Sequence, residues 1–348
     1  MNEVKMSKFD QLQAWLEEYS ARTGYSGNLL ISHQGKTIFE SSIGFANREQ
    51  KVALKMDHKF RYYSLSKPFT AIAFMLLEEE GKVSLDAHPS VYLPYAKEID
   101  NRITMEHLLQ HTSGLQEIGA GAFAETPGVP DYEKAIREVA KKPLDFAPGT
   151  GENYRNTGFI LASLVVEAVS GMPFHQFLEE KVFKPFGMET ACCEIGETID
   201  GLVTGYEMEN DEIRPGAYLN MPALIGSAYV VGTVYDLQNF YRSIQAKRLL
   251  KPETWEKIFT RSNVGQFGLG CIVFQWDGRL TYQNNGGHIG FRTIHRLLPK
   301  EDFDIILLST TTWGDVRTDI MNAVHKFYLD GGEADAFQPE MDKGFATK

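Results

Sequence analysis

The positions of the strand-like segments constrain the fold of this chain more than any other feature of its sequence. Segments rich in β-branched and aromatic residues occur near both ends of the 348-residue chain, whereas helical patterns fill its middle. Strands from the two ends combine most simply in one antiparallel sheet, with the middle of the chain inserted as a helical unit. The predicted strands cover residues 28–32, 37–43, 269–275, 280–283, 288–298 and 303–309.

Turn residues separate these strands into hairpins. Gly35 lies between the first two strands, and Asp277-Gly278, a dipeptide typical of two-residue hairpin turns, lies between the next two. We therefore predict an α/β (α+β) fold, in which terminal helices flank an antiparallel sheet of N- and C-terminal strands and an all-helical domain is inserted. The predicted sheet domain comprises residues 1–62 and 223–348, the helical domain comprises residues 63–222, and the active site lies in the cleft between them.

The helical patterns agree with this arrangement. The densest apolar helix spans residues 68–80 and stops before Gly81, a favourable C-terminal cap. Residues 1–19 carry Phe9, Leu12, Trp15 and Leu16 on a helical period. Further helices are predicted over residues 105–110, 132–141, 158–170, 174–182, 234–245 and 315–328.

Charge and composition narrow the partners of the protein. The formal net charge of -11 argues against nucleic acid or an anionic membrane surface as a partner. The N-terminal residues lack the apolar core of a secretory signal, and no apolar run reaches the length of a membrane span, so we expect a cytoplasmic location. Cys192, Cys193 and Cys271 predict reduced thiols rather than a disulfide framework. The patterns predict no cofactor and no metal, and they leave the oligomeric state open.

The segment Ser64-Leu65-Ser66-Lys67 has the pattern S-x-x-K at the start of the densest apolar helix. Residues three apart on a helical turn share a face, so the lysine amine can reach the serine hydroxyl. A serine becomes a good nucleophile when a neighbouring base takes its proton, and a lysine can be that base when its surroundings lower its pKa. This spacing makes Ser64 a candidate nucleophile and Lys67 a candidate base.

Two further motifs can complete a site. The pattern Y-x-N at Tyr154 and Asn156 lies in a predicted loop, where a tyrosine can relay a proton and an amide can both donate and accept hydrogen bonds. The pattern H-x-G at His288 and Gly290 follows two glycines on a predicted strand, where a substrate backbone can approach the strand edge.

In this order, the three motifs resemble those of the serine β-lactamase and penicillin-binding-protein family, and most of all its class C and esterase-like branch. Segments 63–71, 81–86, 92–94 and 103–115 resemble the family as well, so the likeness spans roughly residues 20 to 310. It implies a β-lactamase/transpeptidase-like fold and a serine hydrolase that cleaves ester or amide bonds of a small molecule through an acyl-enzyme. The activities it implies are those of an esterase, a D-amino-acid peptidase or amidase, or a weak β-lactamase.

The resemblance also implies a role for each matching residue. Ser64 would be acylated, and Lys67 and Tyr154 would share the general-base and general-acid work. Asn156 would orient the substrate amide. The N–H groups of Ser64 and of Phe291, the residue after the H-x-G motif, would form the oxyanion hole, in which one donor contributes about 3 kcal/mol.

His288 departs from the family pattern, because a lysine that helps to bind a substrate carboxylate is usual at this position. A neutral imidazole does this poorly. If residues 288–298 form one strand, Arg292 shares a face with His288 and Gly290 and can replace that lysine, although an ordinary surface arginine is the simpler interpretation. We therefore predict that small neutral esters are turned over faster than penicillins.

Other functions are compatible with parts of the sequence. A protein that is acylated on Ser64 and stays acylated would be a penicillin-binding sensor, or a DD-carboxypeptidase with little turnover. His107 and His111 have the four-residue spacing of some zinc hydrolases, but Leu108 stands where such an enzyme has its glutamate base. An α/β-hydrolase is disfavoured because the sequence contains no G-x-S-x-G elbow.

Overall fold

The computed structural model describes residues 6–118 and 128–329. Residues 1–5 of the predicted N-terminal helical stretch lie outside the described residues. The strands are β1 (Gly27–His33), β2 (Lys36–Ile43), β3 (Phe45–Asn47), β4 (Val52–Ala53), β5 (Phe60–Arg61), β6 (Cys192–Cys193), β7 (Tyr206–Glu209), β8 (Glu212–Pro215), β9 (Val230–Gly232), β10 (Ile272–Trp276), β11 (Arg279–His288), β12 (Phe291–Leu298) and β13 (Phe303–Ser309).

Most α-helices of the described residues lie between β5 and β6. The α-helices are α1 (Lys8–Thr23), α2 (Lys67–Glu79), α3 (Met105–Leu109), α4 (Tyr132–Ala140), α5 (Thr157–Ser170), α6 (Phe174–Leu178), α7 (Val234–Gln245), α8 (Pro252–Phe259) and α9 (Val316–Val324). No single helix in the described ranges is long and apolar enough to cross a membrane, whereas α5 together with Phe174–Phe183, bent by 83°, passes by length and composition alone.

The main sheet has six strands in the order β10-β11-β12-β13-β1-β2, and every neighbouring pair is antiparallel. The pairing of β1 with β13 joins the N- and C-terminal parts of the chain, with Leu30 opposite Ile306. All residues of β13 are buried, as expected for a strand covered on both faces. The predicted α/β (α+β) class with its antiparallel sheet is thereby confirmed.

Two layers of helices cover the sheet. On one face, Leu12 and Leu16 of α1 and Ile320 of α9 pack with Ile31 and Ile305 in one buried cluster. On the other face, residues such as Leu30, Ile306 and Leu308 belong to a larger cluster that includes the apolar side chains of α2 and α5. The sheet therefore separates the terminal helices from the inserted segment.

The inserted segment is not all-helical, and that part of the prediction is wrong. Strand β6 pairs with β9, which also pairs with β5 to form a three-stranded sheet. Strands β7 and β8 form a separate hairpin. A two-residue strand such as β6 has no periodic pattern, so sequence periodicity does not detect it. The division into residues 1–62 with 223–348 and residues 63–222 remains a prediction.

The predicted strand over residues 288–298 is also wrong at its start. Strand β11 continues to His288, and β12 begins only at Phe291. Ile289 and Gly290 form the two-residue turn between them, with Gly290 at φ +77°. A residue in this left-handed region ends a strand, and glycine occupies it without steric cost.

Candidate active site

Ser64 lies where β5 turns into a helix. The 3-10 turn Tyr63–Ser66 continues directly into α2, so Ser64 is at the N-terminal end of a helical segment, where the helix dipole favours negative charge. Tyr63 has φ +50°, a strained conformation for an aromatic residue. Its hydroxyl donates to the Ile289 carbonyl at 2.9 Å, and its ring centroid lies 5.8 Å from that of Phe291. These contacts hold the strained turn before the nucleophile candidate.

The start of α2 is fastened to the segment 226–230. The Ser66 hydroxyl accepts the Val230 N–H at 3.0 Å, and the Thr70 hydroxyl donates to the Gly226 carbonyl at 2.6 Å. Both serine and threonine are buried. Because these two bonds bracket the segment, the carbonyl of Ser227 is directed at the first turn of α2.

Lys67 is 2% exposed and its Nζ contacts three oxygens. It lies 3.1 Å from Ser64 Oγ, 2.8 Å from Asn156 Oδ1 and 3.0 Å from the Ser227 carbonyl. Burial lowers the pKa of the Lys67 amine to about 7, and the nearby Glu117 carboxylate opposes this lowering. A large share of Lys67 is therefore neutral near pH 7 and can accept a proton from Ser64.

Tyr154 contacts the same serine from another direction. Its hydroxyl donates to Ser64 Oγ at 2.6 Å, and Lys67 Nζ lies 4.6 Å from the centre of its ring. Burial raises the pKa of Tyr154, an effect that the hydrogen bond to Ser64 opposes and the Glu117 charge reinforces. The side chain is thus a neutral phenol near pH 7, suited to donating or relaying a proton.

These contacts bring together the four residues that the S-x-x-K and Y-x-N motifs predict. We call Ser64, Lys67, Tyr154 and Asn156 the helical wall. They come from two segments that are far apart in the sequence, the first ending at Lys67 and the second beginning at Tyr154. The packing of α2 against α5 is what makes them neighbours.

Sequence reasoning did not identify Glu117 as part of this site. Its Oε2 accepts the Asn156 N–H at 2.9 Å, and burial raises the pKa of its carboxyl, with hydrogen bonding and the Lys67 charge acting in the opposite direction. The signal available in the sequence is an acidic residue between the buried Leu115 and Ile118.

Residues 284–288 of β11, which we call the sheet wall, pass directly beside the turn that carries Ser64. A Cβ on Gly286 would lie 2.0 Å from the Tyr62 carbonyl oxygen. That oxygen also accepts the Thr293 hydroxyl from β12 at 3.0 Å. Only a glycine lets the strand approach the backbone two residues before the nucleophile candidate so closely.

The register of the hairpin decides which N–H groups of the sheet wall point away from β12. His288 lies opposite Phe291 across a two-residue turn, so these two residues exchange hydrogen bonds. Bonded and non-bonded pairs alternate along an antiparallel ladder, so the N–H of Gly287 points away from β12. Strand β10 pairs with β11 only as far as Gln283, so the edge at Gly287 has no neighbouring strand.

The residues predicted from the H-x-G motif lie on the turn side of this wall. His288 is exposed, its ring lies 6.0 Å from that of Tyr63, and its Nδ1 accepts the N–H of Ile289. A Cβ on Gly290 would lie 2.7 Å from the backbone of Gly205, so the close approach of a neighbouring loop accounts for this glycine. The prediction that His288 and Gly290 lie together on one strand is wrong.

The oxyanion donor predicted at Phe291 is likewise corrected. Its N–H bonds to His288 across the hairpin, and its side chain is 1% exposed in the main core, packed on Phe60 and Tyr63. The N–H of Gly287, unlike that of Phe291, points away from β12 and has no neighbouring strand on that side.

Arg292 does not share a face with His288, in contrast to the prediction. It lies opposite Gly287 in the register, and directly opposed residues project to the same face, so Arg292 and His288 project to different faces. Its Nη1 donates to the carbonyls of His288 at 3.1 Å and Phe291 at 2.9 Å, which holds the guanidinium beside the turn. A Cβ on Gly287 would lie 3.2 Å from Arg292 Cδ, so the side chain passes directly over that glycine.

The two histidines considered as metal ligands have other partners. His107 Nδ1 accepts the Thr104 N–H at the start of α3, and His111 Nδ1 accepts the Arg155 N–H. His111 packs against the Tyr154 ring at 4.5 Å, and burial lowers its pKa well below the usual value. Within residues 6–118 and 128–329, no group of three or more His, Cys, Asp or Glu side chains is arranged to hold a metal ion.

The chain is similar in sequence and in fold to several known proteins. Residues 12–326 match the family model described as Beta-lactamase. The esterase EstB of Burkholderia gladioli is 31% identical over 278 residues, which cover 68% of this chain and 69% of the esterase. A penicillin-binding protein of Bacillus subtilis (strain 168) is 28% identical over 315 residues, which cover 84% of this chain and 69% of that protein. The crystal structure of a penicillin-binding protein from Bacillus halodurans superposes with a TM-score of 0.80 and 26% identity, covering 91% of this chain and 99% of the other.

Proposed function

The chain belongs to the beta-lactamase family and is a serine hydrolase of ester or amide bonds, and from this premise we propose that Ser64 is the nucleophile that becomes acylated. The single observation that carries the proposal is the convergence of Lys67 Nζ and Tyr154 OH on Ser64 Oγ, at 3.1 Å and 2.6 Å. A base and a proton relay within hydrogen-bond distance of one hydroxyl are what nucleophilic catalysis by serine requires.

In this proposal, neutral Lys67 takes the proton of Ser64 as Oγ attacks the substrate carbonyl. The tetrahedral intermediate then collapses, the bond to the leaving group breaks, and the phenol of Tyr154 donates its proton to that group. The Lys67 ammonium returns a proton to Tyr154, so that both residues regain their starting states. Water repeats the cycle on the acyl-enzyme, with its proton passing to the same pair and Ser64 leaving as the hydroxyl. Asn156, whose Oδ1 accepts from Lys67, would orient the substrate amide through its Nδ2.

The oxyanion would be held by the N–H of Ser64, at the start of a helical segment, and the N–H of Gly287, which has no partner strand on its side. This assignment replaces Phe291 because the register turns the N–H of Phe291 toward His288.

We propose small neutral esters as the preferred substrates. The strand edge beside Ser64 carries Asn284, Asn285, Gly286 and Gly287, none of which supplies a positive charge for a substrate carboxylate. Although His288 is exposed on one side, partial desolvation against the turn lowers its pKa and the nearby Arg292 charge acts in the same direction, so the imidazole is neutral near pH 7. Arg292 is the charged side chain closest to this edge in the register and is the residue most able to reverse the preference.

The test is intact-mass spectrometry of the wild type and Ser64→Ala after treatment with a fluorophosphonate, beside turnover of p-nitrophenyl acetate, D-alanyl peptides and nitrocefin. One mass increment should appear in the wild type and disappear in Ser64→Ala. Ser113→Ala, which removes a buried serine hydroxyl that accepts the Leu115 N–H, should label like the wild type. Labelling of Ser64→Ala would refute the nucleophile, and stable acylation by all substrates without turnover would favour the sensor function.

A further inference from the structure

Glu117 lies directly behind the helical wall and has no part in the steps proposed above. Its Oε2 accepts the N–H of Asn156 at 2.9 Å, and the nearby N–H of Thr157 helps to lower the pKa of this carboxyl. Asn156 is the N-cap residue of α5, yet its own side chain makes no capping bond. The carboxylate of Glu117 therefore caps α5 from a different segment of the chain, at the end where a helix favours negative charge.

A second set of bonds ties the same two segments together. The Thr157 hydroxyl donates to the Gln116 carbonyl at 2.9 Å and accepts the Ile118 N–H at 2.7 Å. Thr157 is fully buried. Residues 116–118 are thus hydrogen-bonded to the first residues of α5. These bonds restrain the end of the loop that carries Tyr154 and Asn156.

The negative charge of Glu117 also raises the pKa of Lys67, against the lowering by burial. Asn156 links the two, since its N–H donates to Glu117 and its Oδ1 accepts from Lys67. The other Glu117 oxygen, Oε1, is buried and has no hydrogen-bond partner among the described residues. A carboxylate in a dry site keeps much of its interaction with a nearby ammonium, because little water screens it.

The remaining titratable neighbours do not replace this charge. His111 is buried and neutral, and the Tyr154 phenol is neutral near pH 7. Arg155 contributes a positive charge near Glu117 but is paired with Asp145 at 2.8 Å.

We propose that Glu117 is a positioning residue for acylation: it caps the helix behind Tyr154 and Asn156, and its charge sets the lowest pH at which Lys67 can accept the proton of Ser64. The inference rests on the proposed roles of Ser64 and Lys67. Removal of the negative charge destabilises the Lys67 ammonium, so the neutral amine persists to lower pH.

The experiment measures the rate of fluorophosphonate labelling of Ser64 against pH in the wild type, Glu117→Gln and Glu117→Ala. The probe has no cation, so direct contact between Glu117 and a charged ligand does not contribute. Glutamine removes the charge but keeps an oxygen that can accept the Asn156 N–H. We expect its low-pH limb to move to lower pH by about half a unit to one unit, with a plateau rate within about threefold of the wild type. Alanine removes the cap too, and its plateau should fall about tenfold or more.

Glu152→Gln is the matched control. Its carboxylate also accepts main-chain N–H groups, from Gln266 and Phe267, and burial raises its pKa, but Lys67 is not among its charged neighbours. Its low-pH limb should coincide with that of the wild type.

The outcomes are separable. An unmoved limb in Glu117→Gln overturns the role of the charge, and an unchanged plateau in Glu117→Ala overturns the role of the cap. If Glu117→Ala does not fold, as judged by circular dichroism, the glutamine variant and its control carry the test alone. Failure of the wild type to label at Ser64 would overturn the proposed function itself, which is a different result from normal labelling with an unmoved limb.

Discussion

The helical wall and the sheet wall differ in what positions their groups beside Ser64. In the helical wall, the spacing of Ser64 and Lys67 within one helical turn places Nζ 3.1 Å from Oγ, and Tyr154 and Asn156 come from one short loop. In the sheet wall, the position of each group depends on a hairpin whose turn lies at Ile289-Gly290. A shift of the turn by a single residue exchanges the N–H groups that point toward β12 with those that point away from it.

This difference explains why the structure agrees with the contacts predicted for the helical wall but not with those predicted from the H-x-G motif. A helix fixes the relation between residues three apart wherever the helix packs, so the S-x-x-K motif predicts a contact. In a hairpin, the direction in which each N–H group points depends on the register of the two strands. The sequence G-G-H-I-G-F contains several glycines at which the turn can form. The H-x-G motif therefore indicates Phe291 as the N–H donor, whereas the register indicates Gly287.

The largest expected effect tests the helical wall. Tyr154→Phe removes the hydroxyl that donates to Ser64, and it should lower kcat by about two to four orders of magnitude, as for loss of a general acid or base. The measurement is turnover of p-nitrophenyl acetate, with circular dichroism as the control for folding. A folded variant with an unchanged kcat would remove Tyr154 from the mechanism.

Lowering the pH should have opposite effects through Lys67 of the helical wall and through His288 of the sheet wall. If neutral Lys67 is the base, kcat/KM for a neutral ester should fall about tenfold per unit as the pH drops below about 7, where burial has lowered the pKa of this lysine. If protonated His288 instead recruits a substrate carboxylate, the preference for penicillins over neutral esters should rise as the pH drops through the lowered pKa of that histidine. Profiles for p-nitrophenyl acetate and for benzylpenicillin distinguish the two, and a neutral-ester rate that grows at low pH would exclude Lys67 as the base.

Two adjacent glycines test the sheet wall. Gly286→Ala places a methyl group 2.0 Å from the Tyr62 carbonyl, so the backbone must move, and we expect a loss of stability of about 2 kcal/mol and about a tenfold drop in kcat/KM. Gly287→Ala meets the flexible Arg292 side chain and the Phe291 carbonyl at 3.2 Å and keeps its N–H, so both effects should be smaller. Thermal unfolding and ester turnover provide the measurements. Equal damage from the two substitutions would contradict the register described above.

The smallest effect concerns selectivity. Arg292→Ala should leave kcat/KM for p-nitrophenyl acetate within about threefold, because a neutral ester has no anion for the guanidinium to bind. The comparison is with nitrocefin, in the wild type and in the variant, and His288→Ala is the control on the other face of the sheet. A wild type that prefers nitrocefin, and loses that preference in Arg292→Ala alone, would identify Arg292 as a carboxylate ligand and refute the preference for neutral esters.

The sequence by itself determined the class of fold, the antiparallel sheet built from both ends of the chain, and the residues of the helical wall. Those features depend on periodicity and on spacing within one turn, which are local properties of the chain. Only the tertiary structure decided that the N–H of Gly287 points away from β12 whereas that of Phe291 does not, that Arg292 and His288 project to different faces, and that Glu117 accepts the N–H of Asn156. Each of these depends on a register or on the meeting of segments distant in sequence, and no local pattern fixes either one.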